Sequence, residues 1–300
     1  MAKVVVVGSS NTDMVVKSNH LPVPGETILG GEFLMNPGGK GANQAVAARR
    51  LGAEVVFVAR VGDDIFGRES VQGFGKEKIN TDFIAVDAEN PSGVAVIMVD
   101  EKGENCIAVA SGANHALSAG DVDKAVVQIE SASVLLMQLE SPLATVEHAA
   151  ALGAKKGKCV ILNPAPAQSV SDELLANLDF ITPNETEAEI LTGIKVTDQE
   201  SAQRAAEVLR GKGVGTVVVT LGSRGAYVQS EALSVLVPAR NVDAVDTTAA
   251  GDTFNGALAV GLADGLSIEA AVGFANQAAA ISVTRMGAQS SAPFLNELEL

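Results

Sequence analysis

The chain of 300 residues is long enough for one large α/β domain or two small ones, and 47 % of it is apolar, so a large core is within reach. A formal net charge of −15 disfavours a protein that grips nucleic acid through a basic surface. Any anionic ligand has to be held locally, by helix N-termini, glycine-rich loops or metal ions.

With no Trp and a single Tyr, Tyr227, the core must be built from Val, Ala, Leu and Ile, a composition that suits a parallel sheet buried on both faces. The first predicted element is a strand over Lys3–Val7. The N-terminus before it is too short for a signal peptide, and no apolar run reaches transmembrane length, which fits a cytoplasmic protein with no membrane partner. Residues 11–34 read as extended, with Pro22, Pro24 and several glycines. An Ala-rich helix over 41–51 is stopped by Gly52, and a strand follows at 55–59.

Residues 94–110 read as two strands joined at Asp100-Glu101-Lys102-Gly103, a hairpin signal. Residues 118–130 are predicted helical behind a Ser118-x-x-Asp121 cap, and 134–139 as a strand, with Pro142 in the first turn of the next helix. Short strands are expected at Cys159–Leu162, 180–182 and Thr216–Thr220, and two closing helices at 251–264 and 267–284. This βαβα alternation predicts a mostly parallel sheet between helical layers. The segments 11–34 and 94–110 lack covering helices and together predict a small antiparallel sheet outside the main one, serving as a lid.

Cys106 and Cys159 sit among apolar residues in no metal-ligand spacing and read as small core residues. His20, His115 and His148 match no ligand pattern.

The most informative stretch is Asp246-Thr247-Thr248-Ala249-Ala250-Gly251-Asp252-Thr253-Phe254-Asn255-Gly256-Ala257-Leu258. Small residues lead into a helix whose first amides lack partners within the helix, so a phosphate can approach them closely. A carboxylate at that entrance, Asp252, has two readings. It is a favourable first-turn acid, or it is a general base that takes a proton from an attacking hydroxyl. Read alone, Asn11 and Asp13 are turn formers, Glu140 a solvated acid at a strand end, Asn184 and Glu187 a capped helix start, and residues 220–225 a plain turn. The chain has no Gly-x-x-x-x-Gly-Lys-Ser/Thr loop and no Gly-x-Gly-x-x-Gly after its first strand.

The 246–258 segment, with Gly38-Gly39-Lys40-Gly41-Ala42-Asn43-Gln44-Ala45 upstream and Gly52 and Gly62 after it, resembles the two signatures of the PfkB/ribokinase family of carbohydrate kinases. The resemblance extends over essentially the whole chain, through Gly8-Ser9-Ser10-Asn11-Thr12-Asp13, Ser111-Gly112-Ala113-Asn114, Asn163-Pro164-Ala165-Pro166, Thr182-Pro183-Asn184-Glu185-Thr186-Glu187 and Thr284-Arg285-Met286-Gly287-Ala288-Gln289. It implies a single three-layer α/β/α domain over residues 1–300 with a small β-sheet lid. It also implies transfer of the ATP γ-phosphate to a sugar hydroxyl, the 5-hydroxyl of D-ribose, with Asp252 as base.

By the same resemblance the sugar is held by Asn11, Asp13, Gly39, Lys40, Asn43, Glu140 and Asp252. ATP lies against Asn184, Thr220, Gly222, Ser223, Gly225, Gly251, Asp252 and Asn276. Ala249, Ala250 and Gly251 form an anion hole. Glu187 serves Mg²⁺, directly or through water, and Asp246, Thr248, Ser282, Arg285, Gly287 and Ser291 hold K⁺, several of them through backbone carbonyls. A homodimer through the lid is implied as well. The alternatives are a family member acting on 2-deoxyribose, fructose, a nucleoside or a sugar phosphate, and a non-catalytic sugar sensor.

Overall fold

The computed structural model describes residues 2–298. Strand β1 (Lys3–Val7) alternates its valines between two helical layers. Val4 and Val6 face one layer, Val5 and Val7 the other, and none is more than 1 % exposed, which is why residues 4–7 are apolar at every position instead of at every second one.

The chain then runs through β2 (Asn11–Lys17), β3 (Glu32–Gly38), α1 (Lys40–Arg50), β4 (Glu54–Gly62), α2 (Ile65–Lys76), β5 (Ile84–Asp87), β6 (Gly93–Val99) and β7 (Asn105–Ala110). It continues as α3 (Ala119–Lys124), α4 (Val126–Ser131), β8 (Val134–Met137), α5 (Leu143–Lys155), β9 (Cys159–Leu162), α6 (Asp172–Ala176) and β10 (Phe180–Ile181). The last part is α7 (Glu185–Thr192), α8 (Gln199–Gly211), β11 (Thr216–Thr220), β12 (Ala226–Gln229), β13 (Ser234–Val237), α9 (Ala250–Ala263) and α10 (Ile268–Ser282).

Among the described residues the main sheet has nine strands in the order β13-β12-β11-β10-β9-β8-β1-β4-β5. It is parallel from β11 to β5, and only β12 and β13 run antiparallel, at one edge. One face packs on α1, α9 and α10 through Ala45, Ala48, Phe254, Ala257, Val272 and Ala275. The other packs on α3 to α6 and α8 through Val122, Ile129, Val146, Leu174, Leu175 and Leu209. The three-layer expectation holds.

The small sheet has the order β3-β2-β6-β7, and here the expectation of an antiparallel sheet is corrected: β2 and β6 pair in parallel, from Asn11↔Gly93 to Lys17↔Val99. The reason is connectivity. β2 leaves the end of β1 and β6 leaves the end of β5, two strands that run in the same direction in the main sheet, so both emerge from one edge heading the same way. β3 and β7 then fold back as antiparallel hairpin partners. The strands also reach further than the ranges 11–34 and 94–110, to Gly38 and back to Gly93.

The single helix expected over 118–130 is two, α3 and α4, divided at Ala125, although its Ser118/Asp121 capping box is present. Pro142 is the N-cap of α5 instead of its first helical residue. Cys106 is not a core residue: it lies exposed on β7, because both faces of that edge strand are open.

Helices α1 and α9 cross unusually closely. A Cβ on Gly256 would stand 2.8 Å from the Gln44 carbonyl oxygen and 2.8 Å from the Ala47 methyl. Glycine at the crossing lets the two backbones touch, and that contact brings the first turns of both helices to one place.

Candidate active site

The first turns of α1 and α9 meet at the carboxyl ends of β1, β8, β9, β10 and β11, where open α/β sheets collect ligands. A cleft there is lined by Lys40, Asn163, Thr182, Asn184, Glu187, Thr220, Thr247, Ala249–Gly251, Asp252 and Asn255. A larger surface hollow lies at the opposite end of the strands, around Cys159, Asp179 and Gly213, away from all of these.

Asp252, 5 % exposed, is at the centre. Its Oδ2 accepts from the Asn43 amide (2.9 Å) and its Oδ1 from the Gln44 amide (3.0 Å). Two donors fix the plane of the carboxylate and still leave lone pairs for a substrate hydroxyl. Burial raises its pKa, as does the Glu140 charge, against the pull of the Lys40 ammonium and the two amides.

On one side lie the residues expected to read a sugar. Asn11 and Asp13 are on β2, paired with Gly93 and Ala95 on β6, and share one face of the small sheet. Gly39, at φ 91°, caps α1, and a Cβ there would come within 2.7 Å of the Asn11 nitrogen, so the turn requires glycine. Asp13 lies over Gly38, and burial, reinforced by Glu140 and Asp252, pushes its carboxyl up to about 6. The Oδ1 of Asn43 is buried without a hydrogen-bond partner among the described residues. A buried orphan acceptor is costly unless a ligand hydroxyl fills it. Glu140 accepts from the Ser9 hydroxyl (2.5 Å) and the Lys40 backbone N–H (3.0 Å) through Oε2.

On the other side is the turn before α9. Ala249, its N-cap, has φ 58°, and among the described residues only Lys78 shares that conformation without being glycine. An alanine there stores about 1 kcal/mol of strain. The twist places Ala249, Ala250 and Gly251 along the cleft, and a Cβ on Gly251 would meet nothing within 4 Å. Of the three amides expected to greet an anion, that of Ala250 donates to the Thr247 carbonyl (3.2 Å). Asn255 holds the turn by donating to the Gly251 carbonyl (2.8 Å), and Thr182 in turn donates to Asn255 (2.6 Å).

Lys40 lines this same cleft while its backbone N–H donates to Glu140. Burial draws its pKa down, but the carboxylates of Asp252, Glu140, Glu187 and Asp13 outweigh that and raise it.

Asn184 and Glu187 form a reciprocal capping box at α7, with the Asn184 side chain accepting from the Glu187 N–H (2.8 Å) and Glu187 Oε2 accepting from the Asn184 N–H (2.9 Å). The pair thus caps a helix and also lines the cleft. Burial raises the Glu187 pKa. Thr220 is bridged to Asn184, and beyond it Gly222, Ser223 and Gly225 form a short turn in which Gly225, at φ 100°, lies against the Val237 carbonyl. Asn276 is not in the cleft. Its amide donates to the carbonyls of Val237 (3.0 Å) and Pro238 (3.3 Å), pinning α10 to the end of β13.

The residues expected to hold K⁺ converge beside the turn. Asp246 accepts from the amides of Thr248 (2.9 Å) and Gly287 (2.8 Å), and its backbone N–H donates to the Val283 carbonyl. Ser282 and Ser291 are buried, with their hydroxyls on the carbonyls of Ala279 and Ala288. The Arg285 side chain turns to Glu297 (2.5 Å), so only its backbone is offered to the loop. One carboxylate among neutral groups fits a monovalent cation, and among the described residues no cluster of three acidic, His or Cys side chains offers a tighter metal site.

Sequence reasoning missed Ser9, Gln44, Asn163, Thr182 and Asn255 as parts of the site, although all lie inside or beside its quoted motifs.

A family model described as "pfkB family carbohydrate kinase" matches residues 1–295. The chain is 49 % identical to a ribokinase of Haemophilus influenzae over 97 % of this chain and 95 % of that one. It is 41 % identical to a deoxyribokinase of Salmonella typhi, over 98 % of this chain and 96 % of that one. A solved structure of Arabidopsis thaliana ribokinase complexed with ribose and ATP superposes with a TM-score of 0.92 at 34 % identity, covering 99 % of this chain and 97 % of that one.

Proposed function

Because the chain belongs to the pfkB family of carbohydrate kinases, we propose that it transfers the γ-phosphate of ATP to the 5-hydroxyl of D-ribose, with Asp252 as general base. The observation that carries this reading is the position of Asp252. It is a buried, doubly anchored carboxylate standing between a cluster of hydroxyl-reading side chains and a strained turn of small residues.

Asn11, Asp13 and the orphan acceptor of Asn43 bind the ring hydroxyls and aim the primary hydroxyl at Asp252. Asp252 takes its proton, the freed oxygen bonds to the γ-phosphorus, and the bond to the bridging oxygen of ADP breaks. The first-turn amides of α9 and the Lys40 ammonium face the charge on the transferring group. Glu187 and Asn184 are the residues that would hold Mg²⁺, which neutralises nucleotide phosphate charge when bound. The loop 246–248 with 282–291 would hold K⁺, whose charge steadies the turn. The small sheet, an outgrowth of the same domain, carries the Asn11/Asp13 face and is read as the lid that excludes water.

Steady-state ATP consumption with D-ribose, 2-deoxy-D-ribose, fructose and adenosine tests the reading. The highest kcat/KM is expected for D-ribose, with 2-deoxyribose lower by about 10-fold or more, since a polar site penalises a substrate that leaves its groups unpaired. A preference for 2-deoxyribose would assign the chain to that substrate, and no ATP consumption with any sugar would leave the sensor reading. In the same assay K⁺ should activate more than Na⁺ at equal ionic strength, and Asp246→Ala should erase the difference. Equal rates in both salts would reject the K⁺ site.

A homodimer through the lid is part of the proposal. Val96 shares a register row with Met14, which faces Met35, so these residues occupy the face opposite Asn11 and Asp13. Phe33, Met35 and Val96 on that face are 61 %, 47 % and 46 % exposed. A four-stranded sheet with an uncovered apolar face gains by pairing with a second copy. Light scattering at micromolar concentration should give a dimer mass for the parent chain and a monomer mass, with a raised sugar KM, for Val96→Asp. A monomeric parent with full activity would reject the dimer.

A further inference from the structure

Behind Asp252 lies a chain of buried amides that the proposed reaction does not itself use. Gln44 is fully buried in the first turns of α1, Gln138 is 1 % exposed just past β8, and Asn163 is 6 % exposed just past β9. The Gln44 Nε2 donates to Asp252 Oδ1 (3.0 Å) and to Asn163 Oδ1 (3.1 Å). The Gln138 Nε2 donates to Gln44 Oε1 (2.5 Å).

Only one set of amide orientations satisfies this arrangement. An ionised Asp252 accepts and cannot donate, so Gln44 must present its NH₂. Its oxygen then points at Gln138, which must present its own NH₂ in turn. Reversing Gln44 alone would set oxygen against carboxylate and NH₂ against NH₂. The Gln138 Oε1 is left buried with no hydrogen-bond partner among the described residues, and it occupies the space of a side chain at position 8: a Cβ on Gly8 would stand 2.0 Å from it. An orphaned buried acceptor costs stability, which is the mark of a group placed for its neighbour's sake instead of its own.

We propose that Gln44 is a positioning residue for Asp252, locked in one amide orientation by Gln138 and Asn163, and that Gly8 is glycine because the locking amide of Gln138 fills the place of its side chain. Asp252 is thereby held from two independent directions on α1, by Asn43 on Oδ2 and by Gln44 on Oδ1. The first of these residues also faces substrate. The second is wholly interior and serves only the geometry. This rests on the reading of Asp252 as the base.

The charged groups that face Asp252 are Lys40 on α1, Glu140 after β8, Asp13 on β2 and Glu187 on α7. Gln44→Met touches none of them; it keeps length and burial and removes only the amide. The expected result is a fall in kcat of about 10-fold or more, with the sugar KM changed by about 3-fold or less, because misplacing a reacting group harms turnover more than binding. The acid limb of the kcat–pH profile should also move to higher pH, since losing a donor to the ionised form raises the pKa of the carboxyl. Gln138→Met, which leaves Gln44 free to turn, should move both readouts the same way by less.

A folded Gln44→Met enzyme, judged by its melting temperature, that keeps the parent kcat and acid limb would overturn the proposal. So would one whose stability alone falls. If Gln44→Met does not fold, Gln138→Met decides on the same readouts. Asp252→Asn measured alongside separates the two failures. Near-normal turnover in that variant rejects the base and the positioning together, whereas a dead Asp252→Asn beside an unaffected Gln44→Met rejects the positioning only.

Discussion

Asp252→Asn should lower kcat by at least about 10²-fold while leaving sugar binding much less affected, the range expected when a general base is removed from a site that still binds and orients its reactants. The substitution preserves shape but not polarity. Both carboxylate oxygens accept hydrogen bonds, from Asn43 and from Gln44, so an amide at position 252 must turn its own NH₂ toward one of these donors. Misorientation then adds to the loss of basicity. The parent enzyme should lose activity as pH falls through the raised pKa of Asp252, above the usual carboxylate range, because only the ionised form accepts the proton. In the variant that limb should disappear from what activity remains. A single-turnover measurement across pH reads both effects, and an unchanged kcat would remove Asp252 from its role.

The second large effect is expected at Asp13, in two opposite directions. Asp13→Asn should weaken sugar binding by about 10²-fold, since a charged acceptor for ring hydroxyls contributes roughly 1.5–3 kcal/mol per hydrogen bond. The same change should stabilise the unliganded protein at neutral pH. The carboxyl of Asp13 is raised to about 6 in the fold, from an ordinary value of 3.8, by burial and by the nearby charges of Glu140 and Asp252. A folded-state pKa above the unfolded one means that the folded chain binds more protons between those values, so stability from this group falls as pH rises from about 4 to about 6. Above pH 6 the ionised carboxylate costs ~2 kcal/mol, after allowance for partial exposure. The melting temperature of Asp13→Asn should therefore exceed that of the parent by a few degrees at pH 8 and match it near pH 4. Calorimetry at the two pH values, with a sugar titration at pH 8, measures both directions. A variant no more stable at pH 8 would show that Asp13 is not buried at a cost, and one that binds sugar normally would show that it is not used.

The cost of Asp13 in the unliganded protein is part of a wider crowding of charge. Asp13, Asp252, Glu140 and Glu187 crowd around one ammonium, that of Lys40. The carboxylates of Asp13, Asp252 and Glu187 are all raised, with burial as the leading cause. Folding energy from the two hydrophobic layers has to carry this cluster. Those layers are almost wholly Val, Ala, Leu and Ile, packed on both faces of β1, β4, β8 and β11.

Much of this was legible in the linear sequence, and the reason is local. A helix N-terminus lined by small residues and a glycine turn that packs closely on a neighbouring strand both need those residues in consecutive order. Residues 38–45 and 246–258 therefore carry their chemistry in a short span. The unbroken apolar run of β1 betrays burial on both faces for the same reason: side-chain alternation is a property of neighbouring residues. The Ser118 cap and the Asn184/Glu187 pair are local in the same sense.

What the sequence could not show depends on which elements meet. Gln44 and Gln138 are ordinary polar residues until α1 is laid beside the end of β8, 94 positions away in the chain, where the Gln138 amide donates to the Gln44 oxygen. The left-handed turn at Ala249 is invisible because alanine, unlike glycine, does not advertise a positive φ. That the Asn276 amide donates to the carbonyls at the end of β13 is decided only by the packing of α10 against that strand. Cys106 reads as core from its apolar neighbours, but β7 is an edge strand exposed along its whole length, so the same pattern is exposed. The parallel pairing of β2 with β6 follows from the direction in which β1 and β5 leave the main sheet, a relation between strands about 80 residues apart that no local periodicity encodes.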